Sequence, residues 1–331
     1  MGQAEVARAS AELQQGHALL REARANEALA VSREVVGVLT RELGEDSPDV
    51  ANALLLRGEA YRMLGCGRDS MRDLLRAVAI TRPLRSVGPC DRLHGQALRA
   101  VADGMWRAGR YRVAEVWLRH TLRFVEDRLA DRLEAARVRN VLGVVLRYDG
   151  RHSAAEQQLR HALQETCRPG GERLAATVHH NLAGLRLAQG ALEDAEHHAR
   201  RALELRHDAK ASSVLAVAAD QLCLAGVLSA RGQGEQALML AQTALQTYRD
   251  RLGDEHVEIG YCLHVLAHAQ AIEGHRQAAA ELYRKAIAVK TGALGAHHPE
   301  LANSWRGLAS VADGNERITA LSRAQSLCEH Y

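Results

Sequence analysis

The sequence predicts an all-α protein made of about eight helical hairpins in a row. A glycine or alanine that marks a turn recurs at intervals of 40 to 44 residues, with apolar and small residues at helical spacing on both sides. The composition, 47% hydrophobic but only 3% aromatic and with five prolines in 331 residues, suits packed helices better than a sheet. The markers are Ala23, Gly65, Gly109, Gly150, Gly190, Gly232, Gly274 and Gly314.

Small residues at fixed distances from each marker predict where the two helices of a hairpin meet, because small side chains let helices approach closely. The best-formed copy runs from His180 to Leu205 and carries Ala183, Ala195 and Ala202. Seven places before the markers stand Gly16, Gly58, Ala102, Gly143, Ala183, Ala225, Ala267 and Gly307. Five places after them stand Ala28, Ser70, Ala114, Ala155, Ala195, Ala237, Ala279 and Thr319.

The small residues around Gly190, together with the pair Leu182-Ala183, resemble the tetratricopeptide repeat. The longer period is similar to the ~42-residue variant of kinesin light chains and of sensor arrays in bacterial signalling ATPases. The segment from Leu294 to Glu300, LGAHHPE, nearly completes the leucine-glycine, histidine-proline and acidic signature between repeats of that variant.

This resemblance implies one right-handed α-α superhelix, a tetratricopeptide-repeat solenoid that spans residues 1–331 as a single domain. Stacked repeats bury a continuous core, and repeats at the ends of an array have a more polar, capping character. The expected repeats are approximately 9–50, 51–94, 95–135, 136–175, 176–217, 218–259, 260–299 and 300–331.

The first helix of each repeat, here called helix A, lines a concave groove in the family, where extended peptides or partner helices bind. The family's groove positions therefore predict the site residues of this chain. They are Arg62, Arg99, Asp103, Trp106, Arg107, Arg137, Asn140, Arg147, His180, Tyr261, His264 and His268.

Arginines dominate the predicted groove of repeats two to four. Five guanidinium groups along one wall would suit carboxylates or phosphates, which arginine binds through paired hydrogen bonds. The alternative is that these arginines pair with Glu59 and Asp103 of the chain itself. Trp106 is either a binding anchor or a side chain that fills a gap between repeats.

His264 and His268 have the four-residue spacing at which two imidazoles on a helix can share a metal. Cys262 is not a third ligand on a regular helix, because two residues of rotation place it nearly opposite His264. A chain with 17 histidines contains such pairs by chance, and no HExxH motif accompanies this one. We therefore expect neither a metal nor another cofactor, with these two histidines as weak metal candidates.

The net charge, the cysteines and the hydrophobic pattern argue against several classes of protein. A net charge of +3, from 43 basic and 40 acidic residues, does not predict nucleic-acid binding. The six scattered cysteines suit a reducing compartment, and neither a signal peptide nor a stretch of about 18 apolar residues is visible, so we expect a cytoplasmic protein without membrane contact. The oligomeric state stays open.

The leading hypothesis for function is a non-catalytic scaffold that binds a protein or peptide in its groove, with acidic or carboxylate-bearing segments favoured by the arginines. An alternative is a bacterial regulatory or sensor array that responds to a ligand or peptide and acts through a separate partner. An enzyme or metalloprotein around Tyr261, His264 and His268 is a third hypothesis, although no phosphate-binding, dinucleotide-binding or nucleophile-elbow motif is present.

Overall fold

The computed structural model of the protein describes residues 2–84, 89–208 and 213–329. Within these ranges it contains sixteen α-helices and no strand. A 3-10 turn follows α4 at Arg82–Leu84, and a π-helical turn follows α6 at Val125–Leu129. The helices are α1 Gly2–Arg21, α2 Ala25–Leu43, α3 Pro48–Met63, α4 Gly67–Thr81, α5 Pro89–Arg107, α6 Tyr111–Phe124, α7 Arg132–Tyr148, α8 His152–Glu165, α9 Glu172–Ala188, α10 Leu192–Asp208, α11 Val214–Ala230, α12 Gly234–Leu252, α13 Val257–Ile272, α14 Arg276–Leu294, α15 Leu301–Val311 and α16 Gly314–Glu329.

Consecutive helices form hairpins, with the odd-numbered helices as A and the even-numbered helices as B. The observed hairpins begin earlier than several of the expected repeats. The first pair covers residues 2–43 rather than 9–50, and the expected boundary after residue 50 falls inside α3. The offset arises because an N-cap marks the true start of this helix: Ser47 accepts a hydrogen bond from the backbone N–H of Asp49, and Pro48 occupies the first turn.

A residue with a left-handed backbone stands at the turn between A and B in all eight hairpins. Each of the seven marker glycines has a positive φ, between 55° and 83°, and Ala23 takes this conformation in the first hairpin with φ 62°. At Gly190 the N–H of the following Ala191 bonds the carbonyl of Arg186, which closes the helix end in a Schellman motif. The markers are thus the residues that reverse the chain.

Small residues meet at the predicted contacts between helices. A Cβ built on Gly58 or Gly143 would lie 2.8 or 2.6 Å from the side chain of Leu74 or Leu159 on the paired B helix. A methyl group at either position would therefore force the paired leucine to move. The last hairpin differs, because Thr319 is exposed and the fully buried small residue is Ala320.

Contacts divide the chain into two compact units, Met1–Glu165 and Thr166–Tyr331. Inside each unit every A helix contacts the next A helix, whereas consecutive B helices in the described residues make no such contact. The A helices therefore lie on the inner side of each unit. We call these surfaces the A face of the N-terminal unit, formed by α1, α3, α5 and α7, and the A face of the C-terminal unit, formed by α9, α11, α13 and α15.

Candidate functional site

The A face of the N-terminal unit carries a chain of charged side chains from helix to helix. On α3, Arg62 binds Glu59 one turn earlier, with 2.7 Å from Nη2 to Oε2, and its Nε lies 3.8 Å from the Asp103 carboxylate on α5. Arg107 donates from Nε to the same carboxylate at 3.0 Å. Burial opposes the charge of Asp103, but Arg107 and Arg62 outweigh burial and lower its pKa to about 2.

A second buried carboxylate, Glu134 on α7, binds two of the predicted arginines. Arg99 on α5 donates from Nε to Oε1 at 2.7 Å, and Arg137 donates from Nη1 to Oε2 at 3.1 Å. Burial disfavours the guanidinium charge of Arg99, yet the Glu134 carboxylate outweighs it and raises the pKa of Arg99. Asn140, one turn after Arg137, is buried on the same helix.

Aromatic rings and guanidinium groups stack at the carboxyl ends of α5 and α7. Trp106 donates from Nε1 to Asp103 at 2.8 Å and stacks on Tyr148, with 5.7 Å between ring centroids. Arg107 lies 4.8 Å above the Trp106 ring, and Arg147 lies 4.7 Å above the Tyr148 ring. Tyr148 also stacks on the buried ring of Tyr111, so this cluster both packs against the turn and presents cations beside aromatic surface.

Arg147 is the predicted arginine that differs from the rest. Each of the other four pairs with a carboxylate, whereas Arg147 forms no ion pair with any described residue and rests on Tyr148. Pairing with Glu59 and Asp103 therefore describes Arg62 and Arg107, whereas Arg99 and Arg137 pair with Glu134 instead. Four arginines share three carboxylates and Arg147 pairs with none, so this group of side chains keeps an excess of positive charge.

On the A face of the C-terminal unit, His180 belongs to a hydrogen-bond network that joins neighbouring repeats. Its Nδ1 lies 2.8 Å from the carboxylate of Asp220 on α11, which is 1% exposed and also accepts from Arg206 Nε at 2.8 Å. Arg206 reaches back to α9 through the hydroxyl of Thr177 at 2.9 Å. These contacts tie α9, α10 and α11 together and fix the imidazole ring.

His264 and His268 on α13 turn their Nδ1 atoms toward serines on different helices. His264 Nδ1 lies 3.2 Å from Ser304 Oγ on α15, and His268 Nδ1 meets the hydroxyl of Ser229 on α11. Burial lowers the pKa of both imidazoles, and the neighbouring Lys290 contributes to a value of about 3 for His264. Tyr261, one turn earlier, lies against the Lys290 ammonium at 4.4 Å.

Within the described residues no group of three or more histidine, cysteine or carboxylate side chains is arranged to hold a metal. Cys262 is fully buried, away from the partly exposed His264, as helical rotation predicts. The same part of the chain contains no helix that is both long and apolar enough to cross a membrane.

Sequence reasoning missed the partners of the predicted residues. Tyr148, Glu134 and Asp220 decide how several predicted side chains are held, and none of the three is among the predicted groove residues. A usable signal exists for some of them, because Asp220 and Ser304 each follow their histidine partner by 40 residues, one repeat along the chain. Polar residues in equivalent positions of successive repeats are therefore candidates for contact.

Repeated hairpins with left-handed turns and small residues at the helix contacts define an α-helical repeat protein. Models of the tetratricopeptide repeat match residues 216–292 and 135–168. These two segments carry tetratricopeptide repeats, as the sequence resemblance implied, and the all-α repeat fold is the one predicted from the sequence. A search of curated proteins gave no match.

Several solved structures share this fold at low sequence identity. A Rap protein complexed with competence and sporulation factor aligns with a TM-score of 0.69 and 16% identity, over 98% of this chain and 87% of that one. The Rap conjugation gene regulator of plasmid pLS20, in complex with the Phr* peptide, gives the same score and identity over 98% and 95%. BtubC (BKLC) from P. vanneervenii aligns at 0.50 and 17%, over 76% and 92%.

Proposed function

We propose that this protein binds a peptide or protein segment on the A face of its N-terminal unit and selects segments that carry carboxylates. Repeat arrays present large contact surfaces with little chemistry of their own. The observation that carries the proposal is Arg147, a guanidinium that forms no ion pair with a described residue and lies on Tyr148 beside Trp106. Arginine and tryptophan dominate the energetics of many protein interfaces.

The surrounding carboxylates support this proposal. Glu59, Asp103 and Glu134 hold the neighbouring arginines in fixed orientations, so those guanidinium groups lose little freedom when a ligand arrives. Arg147 supplies the unpaired charge, and its planar fork matches a carboxylate with two parallel hydrogen bonds. The expected ligand is therefore an acidic segment or a chain end, taken up by a protein that we expect to work in the cytoplasm.

A peptide library with free C-terminal carboxylates, measured by fluorescence anisotropy against amidated twins, tests this function. We expect Arg147→Gln to weaken the best binder by roughly tenfold, the usual worth of a charge-assisted hydrogen bond. The matched control is Arg112→Gln, an exposed arginine on the B helix α6. Equal affinity of the wild type and Arg147→Gln, or equal binding of acids and amides, would contradict the proposal.

A second candidate is a regulator that responds to a peptide and acts on a separate partner. It is favoured by the Rap structures, two of which are described as complexes with competence and sporulation factor and with the Phr* peptide. Small-angle scattering with and without a bound peptide separates the two. A regulator should change its radius of gyration on binding, whereas a passive scaffold should keep it.

A further inference from the structure

The turns between A and B helices carry far more arginine in the N-terminal unit than in the C-terminal unit. Because each A helix contacts the next one, these turns follow one another along one edge of the unit. We call it the turn edge and define it as Ala23, Gly65, Gly109 and Gly150 with the five residues on either side of each. It holds nine arginines, no lysine and four carboxylates, whereas the matching segments of the C-terminal unit hold four arginines and six carboxylates.

More than half of the arginines on the turn edge have no counter-ion. Each of its four carboxylates already pairs with Arg24, Arg72 or Arg151, at 2.6 to 3.1 Å. The arginines that form no ion pair with a described residue are Arg21, Arg68, Arg110, Arg112 and Arg147. Arg147 is partly exposed and the other four are exposed, so the turn edge presents uncompensated positive charge to solvent.

Arginines at the opposite edge, where loops join one hairpin to the next, find carboxylates. Arg41 lies 3.3 Å from Glu42, and Arg128 lies 3.6 Å from Asp91. The abundance of arginine in this chain therefore does not by itself leave these side chains unpaired. The turn edge lacks counter-ions because its few carboxylates are already occupied.

Arg147 connects the turn edge to the ligand site proposed above. It lies at the carboxyl end of α7, three residues before Gly150, and rests on Tyr148 of the A face. We propose that the turn edge binds an acidic protein segment, which continues from the carboxylate held at Arg147 across the three preceding turns. This inference rests on the proposed function and adds a second stretch of the same ligand.

The spacing of the turns predicts the spacing of charges on the ligand. The axes of packed helices lie about 8–10 Å apart, and an extended chain covers about 10 Å in three residues. Each of the three preceding turns offers an unpaired guanidinium, at Arg110, Arg68 and Arg21 in turn. A segment with a carboxylate at every third residue can therefore pair with one arginine at each turn.

The carboxylates of the turn edge favour a protein partner over a nucleic acid. A phosphate backbone carries a charge at every nucleotide, about 3.4 Å along each strand of a duplex, so it cannot avoid residues such as Asp69 and Asp149. An acidic protein segment can place uncharged residues opposite them. The alternation of free arginines and occupied carboxylates thus matches a segment whose charges are interrupted.

Two peptides test the inference by fluorescence anisotropy. Both contain the best binder of the carboxylate library, extended at its amino end by three Glu-Gly-Gly units in one peptide and by three Gln-Gly-Gly units in its twin. The glutamate peptide should bind roughly tenfold more tightly, because three exposed ion pairs that are weak singly act together. Added salt should reduce this gain, since it screens exposed charges.

Paired substitutions locate the gain on the protein. The double variant Arg68→Gln/Arg110→Gln should lose most of the gain while it binds the glutamine peptide as the wild type does. The matched control is Arg33→Gln/Arg123→Gln, which removes two exposed arginines of the same unit that also form no ion pair with a described residue. These two lie on the B helices α2 and α6, outside the turn edge, so the control should keep the full gain.

Equal affinity of the two peptides for the wild type, or a full gain in Arg68→Gln/Arg110→Gln, would overturn the turn edge as a binding surface. A single-stranded oligonucleotide that binds more tightly than the glutamate peptide, and is weakened by the same double variant, would overturn the protein partner. Failure of the proposed function is read separately, because it leaves the affinity of the glutamine peptide unchanged in Arg147→Gln.

Discussion

At the scale of single residues, the turn glycines combine a structural role with a clear sequence signal. A left-handed backbone costs a residue with a side chain about 1–2 kcal/mol, and glycine avoids this cost. Seven of the eight turns use glycine, while Ala23 accepts the strained conformation and buries its methyl group. The period of the sequence is visible because one backbone conformation must recur in every repeat.

Substituting a turn glycine should therefore cost stability without creating a clash. Gly150 has φ 75°, and a Cβ added there would meet no atom within 4 Å. We expect Gly150→Ala to lower the free energy of unfolding of the N-terminal unit by about 1 kcal/mol, measured by urea denaturation.

The matched control is Gly37→Ala, which lies in the middle of α2 in the same unit and also has open space around the new methyl group. Its backbone is helical, so alanine should raise the free energy of unfolding by about 0.5–1 kcal/mol. Two changes of the same sign would show that backbone conformation does not decide the stability of the turn.

At the scale of helices, polar side chains join each A helix to the next. His180 with Asp220, His264 with Ser304, and Arg99 with Glu134 are such pairs. Helical spacing and the family's groove positions selected the first member of each pair. The 40-residue spacing of His180 from Asp220 and of His264 from Ser304 makes such partners candidates. Which candidates touch depends on the rise and rotation from one repeat to the next, which the period alone does not fix.

The buried histidine of this network makes the stability of the C-terminal unit depend on pH. Burial, with help from Lys290 and His268, lowers the pKa of His264 from 6.5 to about 3. Between these two pH values the unfolded chain binds a proton at His264 and the folded chain does not. The free energy of unfolding is therefore at its full value above pH 6.5 and decreases as the pH falls toward 3. Near pH ~4.5 we expect a loss of about 3 kcal/mol from this one group.

Urea denaturation of the wild type and of His264→Gln, at neutral and acidic pH, measures this contribution. Carboxylates that titrate in the same range affect both proteins equally, so the difference between them isolates the imidazole. We expect the variant to lose less stability than the wild type on acidification. A parallel decline in the two proteins would show that His264 does not hold its proton affinity low in the fold.

At the scale of the whole chain, the fold was far easier to predict than the site. Small residues such as Ala183 and Gly143 are required wherever helices approach closely, so the hairpins follow from the spacing. The arginines were visible, but their pairing depends on which carboxylates point toward them. Only the folded arrangement distinguishes Arg99, bound to Glu134, from Arg147, which lies on Tyr148. The single continuous array expected from the period stays a prediction for the relation between the two units.

The central claim is that the N-terminal unit takes up its ligand on the A face, and site-specific photo-crosslinking tests it most directly. A photoreactive amino acid replaces either Gln96 on the A helix α5 or Val116, which is 68% exposed on the B helix α6. The probe is the best carboxylate-bearing peptide from the library. We expect crosslinking from position 96 and not from position 116. Efficient crosslinking from position 116 alone would contradict it.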